Sequence, residues 1–339
     1  MPDINLTDWQ ILGVKLAIIL TVVPVSALAG GYALHKELAH LQHRLGPMYP
    51  GGFHGWAQTL ADGIKFIYKE DIVPAAADRR VFGLAPAVIF VPVLMLFLVI
   101  PLDENLIVQD LDVGIFYLLA IGSVGVIGVL MAGWSSANKY ALIGAMRAAA
   151  QLIAYELPIV LTAASVAMLA GTLSIVGIVE AQDWPFVIWP PGLGLIAFLL
   201  FLAGAMAEMT LPPFDMPVAE SEIITGPFTE YSGMRFIFAF FFAEMGHIVA
   251  FSGIAATLFL GGYKPIVPWE PLDAVPGIVW FLAKFVFMFF LIIWMRFTWP
   301  RLREDQLQKF AWKFLIPASL GLILAVGAWV LYAPEALWQ

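Results

Sequence analysis

Eight stretches of the chain, near residues 9–31, 82–101, 113–133, 148–170, 193–211, 234–260, 277–297 and 313–331, are strongly apolar. At about 1.5 Å of rise per residue, each is about long enough as a helix to cross roughly 30 Å of hydrocarbon. Hydrocarbon gives the backbone no hydrogen bonds, so only helices and closed barrels span it, and these runs lack the two-residue alternation of barrel strands. The expectation is an all-α integral membrane protein with eight transmembrane helices, residues 1–339 forming a single polytopic domain embedded in the lipid bilayer. Composition agrees: 12% of residues are charged, against about 25% in globular chains, and the mean hydropathy is +0.89. Pro24, Pro92 and Pro158 fall inside spans and should bend them locally. No internal repeat is evident, which counts against an inverted-repeat transporter.

All lysines and arginines except Lys15, Lys264 and Lys284 lie in the first, third, fifth and seventh connections or at the adjoining helix ends. The positive-inside rule therefore puts the odd connections in the cytoplasm and both termini outside. The leading charges, Asp3 and Asp8, are acidic where a signal peptide is basic, so the first stretch reads as a retained span. A formal charge of −8 argues against a nucleic-acid partner. Without cysteine, no thiolate-held iron–sulfur cluster or zinc–cysteine site belongs to this chain.

The long first connection contains "FHGWAQTLADGIKFIYKE", in which Phe53, Trp56, Leu60, Ile64 and Ile67 recur at helical steps opposite Gln58, Asp62, Lys65 and Lys69. This predicts an amphipathic interfacial helix. Asp62 is either a functional acid or a solvated partner of Lys65, three residues on. His35, His40, His43 and His54 lie in the same connection, but His40 and His43 alone do not supply a metal-ligand set.

Glu156 and Glu244 lie nine residues into their spans from Arg147 and Arg235, roughly 13 Å deep and close to the bilayer midplane. A charged side chain there costs about 2.5–3.5 kcal/mol on insertion scales, so each should face protein interior or water. Each serves either proton handling or hydrogen-bonded helix packing. His247, one turn beyond Glu244, is placed to share its proton. Lys284 either pairs inside the protein or snorkels to the outer surface.

The fifth connection, "AEMTLPPFDMPVAESEIITGPFTEYSGMRF", carries Glu208, Asp215, Glu220, Glu222 and Glu230 against one cation, Arg235. Pro212 and Pro213 interrupt the helix. Non-helical backbone near the membrane is tolerated where it is buried in protein or lines water, and the embedded Phe214, Ile223, Ile224, Phe228 and Tyr231 speak against a freely solvated loop. The segment is expected to line a cavity, its acids forming a hydrated path toward the glutamates at membrane depth.

"QHRLGP" with "ADGIKFIYKEDIVP", "GWSSANKYALIGAMRAAAQLIAYELP", "AEMTLPPFD" with "AESEIITGPFTEYSGMRF", and "RFTWPRLREDQLQKFAWKFLIP" resemble the quinone-site membrane subunit of bacterial proton-pumping NADH:quinone oxidoreductase, the respiratory complex I family. The resemblance runs through nearly the whole chain. It implies an eight-helix subunit of a multisubunit oxidoreductase in the bacterial cytoplasmic membrane, inactive alone. Such a subunit docks the iron–sulfur and quinone-site subunits of the peripheral arm. It forms much of the chamber for ubiquinone, menaquinone or a related quinone, and joins it to small and antiporter-like membrane subunits. Residue by residue, it implies proton-path glutamates at Glu156, Glu208, Glu220, Glu222, Glu230 and Glu244. Around the quinone it implies Arg44, Gly46, Pro47, Asp62, Phe214, Asp215 and Arg235.

The chain departs from the family pattern in four places. Leu211 stands for an arginine, Val218 for a usual glutamate, Leu34 where an acid often precedes the first loop, and "GPMYPGG" for G-P-N-R-V-G-P. The electron donor, NADH or another reduced carrier, is left open by these changes. A membrane subunit of an energy-converting hydrogenase shares the fold and the acids and is the alternative; a self-contained ion transporter is a second. The charge partition makes a direct prediction. Tags at either terminus should be accessible only from outside and a reporter after Arg80 only from the cytoplasm; a cytoplasmic C-terminus would overturn the helix count.

Overall fold

The computed structural model describes residues 8–332, apart from residues 105, 219, 268–271 and 273–274; the side chains of residues 8, 9, 11, 12, 220 and 221 are likewise outside the description. The readings placed on Asp3 and on the Asp8 and Glu220 side chains thus fall outside the described residues. Within them the chain is helical, with one isolated bridge, Asp103 to Leu106, and no strand.

The elements are α1 (Asp8–Leu41), α2 (Gln58–Tyr68), α3 (Arg79–Leu96), α4 (Gly114–Ser135), α5 (Lys139–Ala170), α6 (Ile175–Glu180), α7 (Leu193–Glu208), α8 (Glu220–Ile223), α9 (Gly233–Phe259), α10 (Gly277–Thr298) and α11 (Glu304–Tyr332). Side chains that accept from free backbone N–H groups set several starts: Asp78 caps α3, Asn138 caps α5 and Ser174 caps α6. Gly171, at φ 68°, ends α5 in the left-handed region that glycine enters without steric penalty.

Seven of these helices, α1, α3, α4, α5, α9, α10 and α11, are long and apolar enough to cross a membrane. The fifth apolar stretch forms a shorter helix, α7, of 16 residues. Other helices outrun their apolar cores. α1 continues to Leu41 and α5 begins at Lys139, because the flanking residues are good helix formers that hydropathy does not register. Pro24, Pro86, Pro92 and Pro158 all lie within continuous helices.

Two helices form the centre. In α5 and α9, 61% and 67% of the apolar window is buried, against 22–39% in the other long helices. α5 packs on α4, α7 and α11, while α9 packs on α1, α3 and α10. Glu156 and Glu244, the acids that sequence depth singled out, sit on these two helices. Van der Waals fit rather than water exclusion drives such packing in lipid, and small residues allow it. A Cβ on Gly246 of α9 would stand 2.5 Å from Val93 of α3.

The fifth connection is folded into the protein. Gln151 of α5, only 1% exposed, donates from Nε2 to the Ala207 carbonyl at 2.7 Å and the Phe214 carbonyl at 2.6 Å. Leu302 N donates to the Pro213 carbonyl at 3.0 Å. Further along, Gly226 (φ 54°) presses against Gly144 of α5, and a Cβ at Gly226 would lie 1.8 Å from the Pro217 carbonyl oxygen. Gly226→Ala should therefore destabilise the protein by about 2 kcal/mol or more. Thermal unfolding in detergent checks this, and an unchanged midpoint would mean that the loop is not held this tightly.

Candidate functional site

Two adjoining cavities open where α7 gives way to the fifth connection. The inner one, about 70 Å³, has mostly apolar walls interrupted by Glu208, Glu244 and His247. The outer one, about 260 Å³, is lined by Asp215, Glu244, Arg296 and Arg301 among others. Thr210, Val218, Phe240 and Glu244 border both, so Glu244 is the carboxylate common to the two.

Local structure explains how these groups arrive. α7 ends at Glu208, whose Oε2 is buried without a partner and which Glu156 on α5 is close enough to repel. Thr210 follows at φ 53°, a conformation unfavourable for a β-branched residue, which turns the chain away from the helix axis. On α9 a π-helical turn, Ile237–Phe242, precedes Glu244. Such insertions re-aim the residues that follow and recur at functional sites.

Glu244 Oε1 lies 2.5 Å from Arg296 Nη1, with 14% of the acid and 19% of the base exposed. Arg147 bridges Glu222 at 2.6 Å and Glu304 at 3.3 Å, joining α5, α8 and the start of α11. The hydrogen bond from Arg147 holds the Glu222 carboxyl below the ordinary glutamate range. Like-charge repulsion among crowded acids raises such values, and at Glu222 the guanidinium reverses the sign. Glu230 accepts from Asn138 Nδ2 at 2.6 Å.

Arg235, the single cation of the acid-rich stretch, pairs at 3.2 Å with Asp71 of the first connection and lies over the Phe82 ring. Ser232 reinforces this join by donating to the Glu70 carbonyl and accepting from Ile72 N. Arg235 thus ties the first connection to the fifth. Phe214 packs in the core against Tyr155, whose hydroxyl donates to the Leu307 carbonyl rather than to Glu156.

Arg44, Gly46, Pro47 and Asp62 lie in the first connection and border neither cavity. Arg44 donates to Gln42, and the Pro47 carbonyl accepts from Lys36. Asp62 accepts from Gln58 at 2.9 and 3.0 Å, with Lys65 at 3.5 Å, the local pairing that its spacing allowed. Lys284 does not snorkel: it is 3% exposed and donates to the Gly262 and Lys264 carbonyls. The sequence counted Arg147, Arg296 and Arg301 only as topology signals. For Arg296 and Arg301 the one local hint is the density of cations in "RFTWPRLRED".

A family described as NADH dehydrogenase matches residues 14–327. The chain belongs to this family. A protein of Dehalococcoides mccartyi (strain CBDB1), named as the H subunit of NADH-quinone oxidoreductase, is 46% identical over 327 residues, which cover 96% of this chain and 89% of the relative. A Geobacillus kaustophilus (strain HTA426) protein of the same name is 44% identical over 317 residues, 92% of this chain and 93% of the relative. A third, from Bacillus mycoides (strain KBAB4), is 44% identical over 294 residues, 87% and 86% of the two chains.

The half-buried pair generates a stability prediction. Removing one member of a fully buried ion pair typically costs about 3–5 kcal/mol, and a pair that borders a cavity is partly relieved by water. Arg296→Met should cost less, about 1–3 kcal/mol, and Arg296→Met with Glu244→Leu should recover at least ~1 kcal/mol relative to the sum of the single losses. Thermal unfolding of the four proteins measures the coupling; additive losses would show that the pair is not an energetic unit.

Proposed function

We propose that this chain is the quinone-site membrane subunit of a proton-translocating NADH:quinone oxidoreductase. The observation that carries the proposal is Glu244, shared by an inner cavity holding Glu208 and His247 and an outer one holding Asp215, Arg296 and Arg301. The outer cavity is polar and charged, suited to a quinone headgroup whose charge changes on reduction. The inner cavity reaches the carboxylate at the end of α7, Glu208, with Glu156 of α5 behind it.

Quinone becomes quinol by taking two electrons and two protons. The electrons come from an iron–sulfur cluster on a peripheral-arm partner, since this chain has no thiolate ligand. The protons and the field come from this subunit. Asp215 and Arg301 orient and polarise the headgroup, and the series Glu222, Glu208, Glu156 and Glu244, with Glu220 and Glu230, answers the new charge by shifting its protonation. Arg235 holds the first and fifth connections together at the chamber mouth, where Arg44, Gly46, Pro47 and Asp62 shape the approach.

In the bilayer, α7 together with the turn that follows it makes an eighth crossing, both termini face outside, and the chain acts as one membrane unit. α2 lies along the cytoplasmic interface, its Leu60, Ile64 and Ile67 exposed to lipid. The other subunits are those of the peripheral arm and the small and antiporter-like membrane chains. The names of the 44–46% identical relatives favour this reading over a hydrogenase anchor or a self-contained transporter.

The test uses the intact complex in proteoliposomes. Asp215→Asn should slow quinone reduction by about tenfold, ~1.4 kcal/mol of barrier, while electron transfer to an artificial acceptor upstream of quinone survives. Glu156→Gln and Glu244→Gln should lower the proton-to-electron ratio, with Glu→Asp retaining part of it. Normal quinone reduction and pumping in all three variants, with assembly verified, would falsify the proposal.

A further inference from the structure

We propose that His247 carries protons between Glu208 and Glu244, a role that rests on the proton-path reading above. His247 lies on α9 three residues past Glu244, so the two side chains share a helix face with Cβ atoms about 5–6 Å apart. Glu208 enters the same cavity from the end of α7. Among the described residues lining that cavity, these three are the ones that titrate; the wall from α3 and α4 is apolar or glycine. The charged groups behind them are Glu156, which repels Glu208, and Arg296, which holds Glu244.

The three groups are unequal. Glu208 has a buried oxygen without a partner, while Glu244 is fastened to a guanidinium. The His247 ring has the Ala243 backbone, one turn back, as its polar neighbour on α9. An N–H directed at that carbonyl leaves the other ring nitrogen free to accept, on a residue that lines the cavity. The cavity, about 70 Å³, has room for about two waters at ~30 Å³ each, enough to bridge gaps wider than one hydrogen bond.

The transfer balances without a co-reactant. The Glu208 carboxyl gives its proton to the free ring nitrogen, leaving a carboxylate and an imidazolium. The same nitrogen then gives that proton to the Glu244 carboxylate and returns to neutral. Protonated Glu244 no longer compensates Arg296, so the arrival of a proton in the inner cavity exposes a positive charge in the outer one. His247 thereby links proton movement to the electrostatics of the chamber.

His247→Asn and His247→Gln keep a polar group and remove the titration. In the intact complex each should lower the proton-to-electron ratio by about threefold or more while uncoupled quinone reduction stays within about twofold of wild type. With 13C-labelled histidine, the infrared difference spectrum on quinone reduction should show imidazolium bands in wild type that both variants lose. If Glu208→Gln and Glu244→Gln abolish pumping but both His247 variants pump normally, His247 is no carrier and the wider proton-path reading stands. If the glutamate variants also pump normally, both fail together. Absence of an imidazolium signal in wild type overturns the carrier role even where neither variant assembles.

Discussion

Non-helical backbone in or near hydrocarbon survives only where protein replaces the hydrogen bonds that water would supply, and here one buried side chain spans the break. Gln151 reaches from the central helix α5 to two carbonyls on either side of the break after α7. Each such bond, buried and without a solvent alternative, is expensive to leave unmade. By fixing Ala207 and Phe214 it determines where Glu208 ends up, how Thr210 turns and which way Asp215 faces. The cavities follow from that break, since a helix continued past Glu208 would fill the space between α5 and α9.

The same economy governs charge. Arginines at helix ends bias orientation in membrane proteins generally, and three arginines at helix ends here also bind acids across elements. Arg147 joins α5 to α8 and α11, Arg235 joins the fifth connection to the first, and Arg296 joins α10 to α9. A planar fork with several donors suits this bridging better than a lysine ammonium. Glu208 keeps a buried oxygen without a hydrogen-bond partner, whereas Glu222 and Glu244 each lie against a guanidinium.

Two departures from the family pattern take on a physical meaning in this setting. Leu211, where the family usually has arginine, is 1% exposed and sits in the core, and Val218, where it usually has glutamate, borders both cavities. One charge of each sign is gone. The outer cavity keeps two carboxylates, Asp215 and Glu244, and two guanidiniums, Arg296 and Arg301, and Val218 makes the boundary between the cavities more apolar, while Leu211 borders neither.

The sequence by itself determined the helical membrane class, the positions of the long helices, the amphipathic α2, the depth of Glu156 and Glu244 along their helices, and the anomaly of the fifth connection. Each is written in local periodicity, hydropathy or depth along a helix, which act over a turn or two of chain. It also pointed to the family, because the quoted motifs are contiguous. Only the tertiary structure decided which acid meets which cation. Arg235 is the cation nearest to Glu230 in sequence but pairs with Asp71, while Glu244 takes Arg296 from α10. Partner choice depends on how helices lie side by side, and lipid leaves that to the fit of small residues and to a few long-range hydrogen bonds whose two ends no local pattern connects.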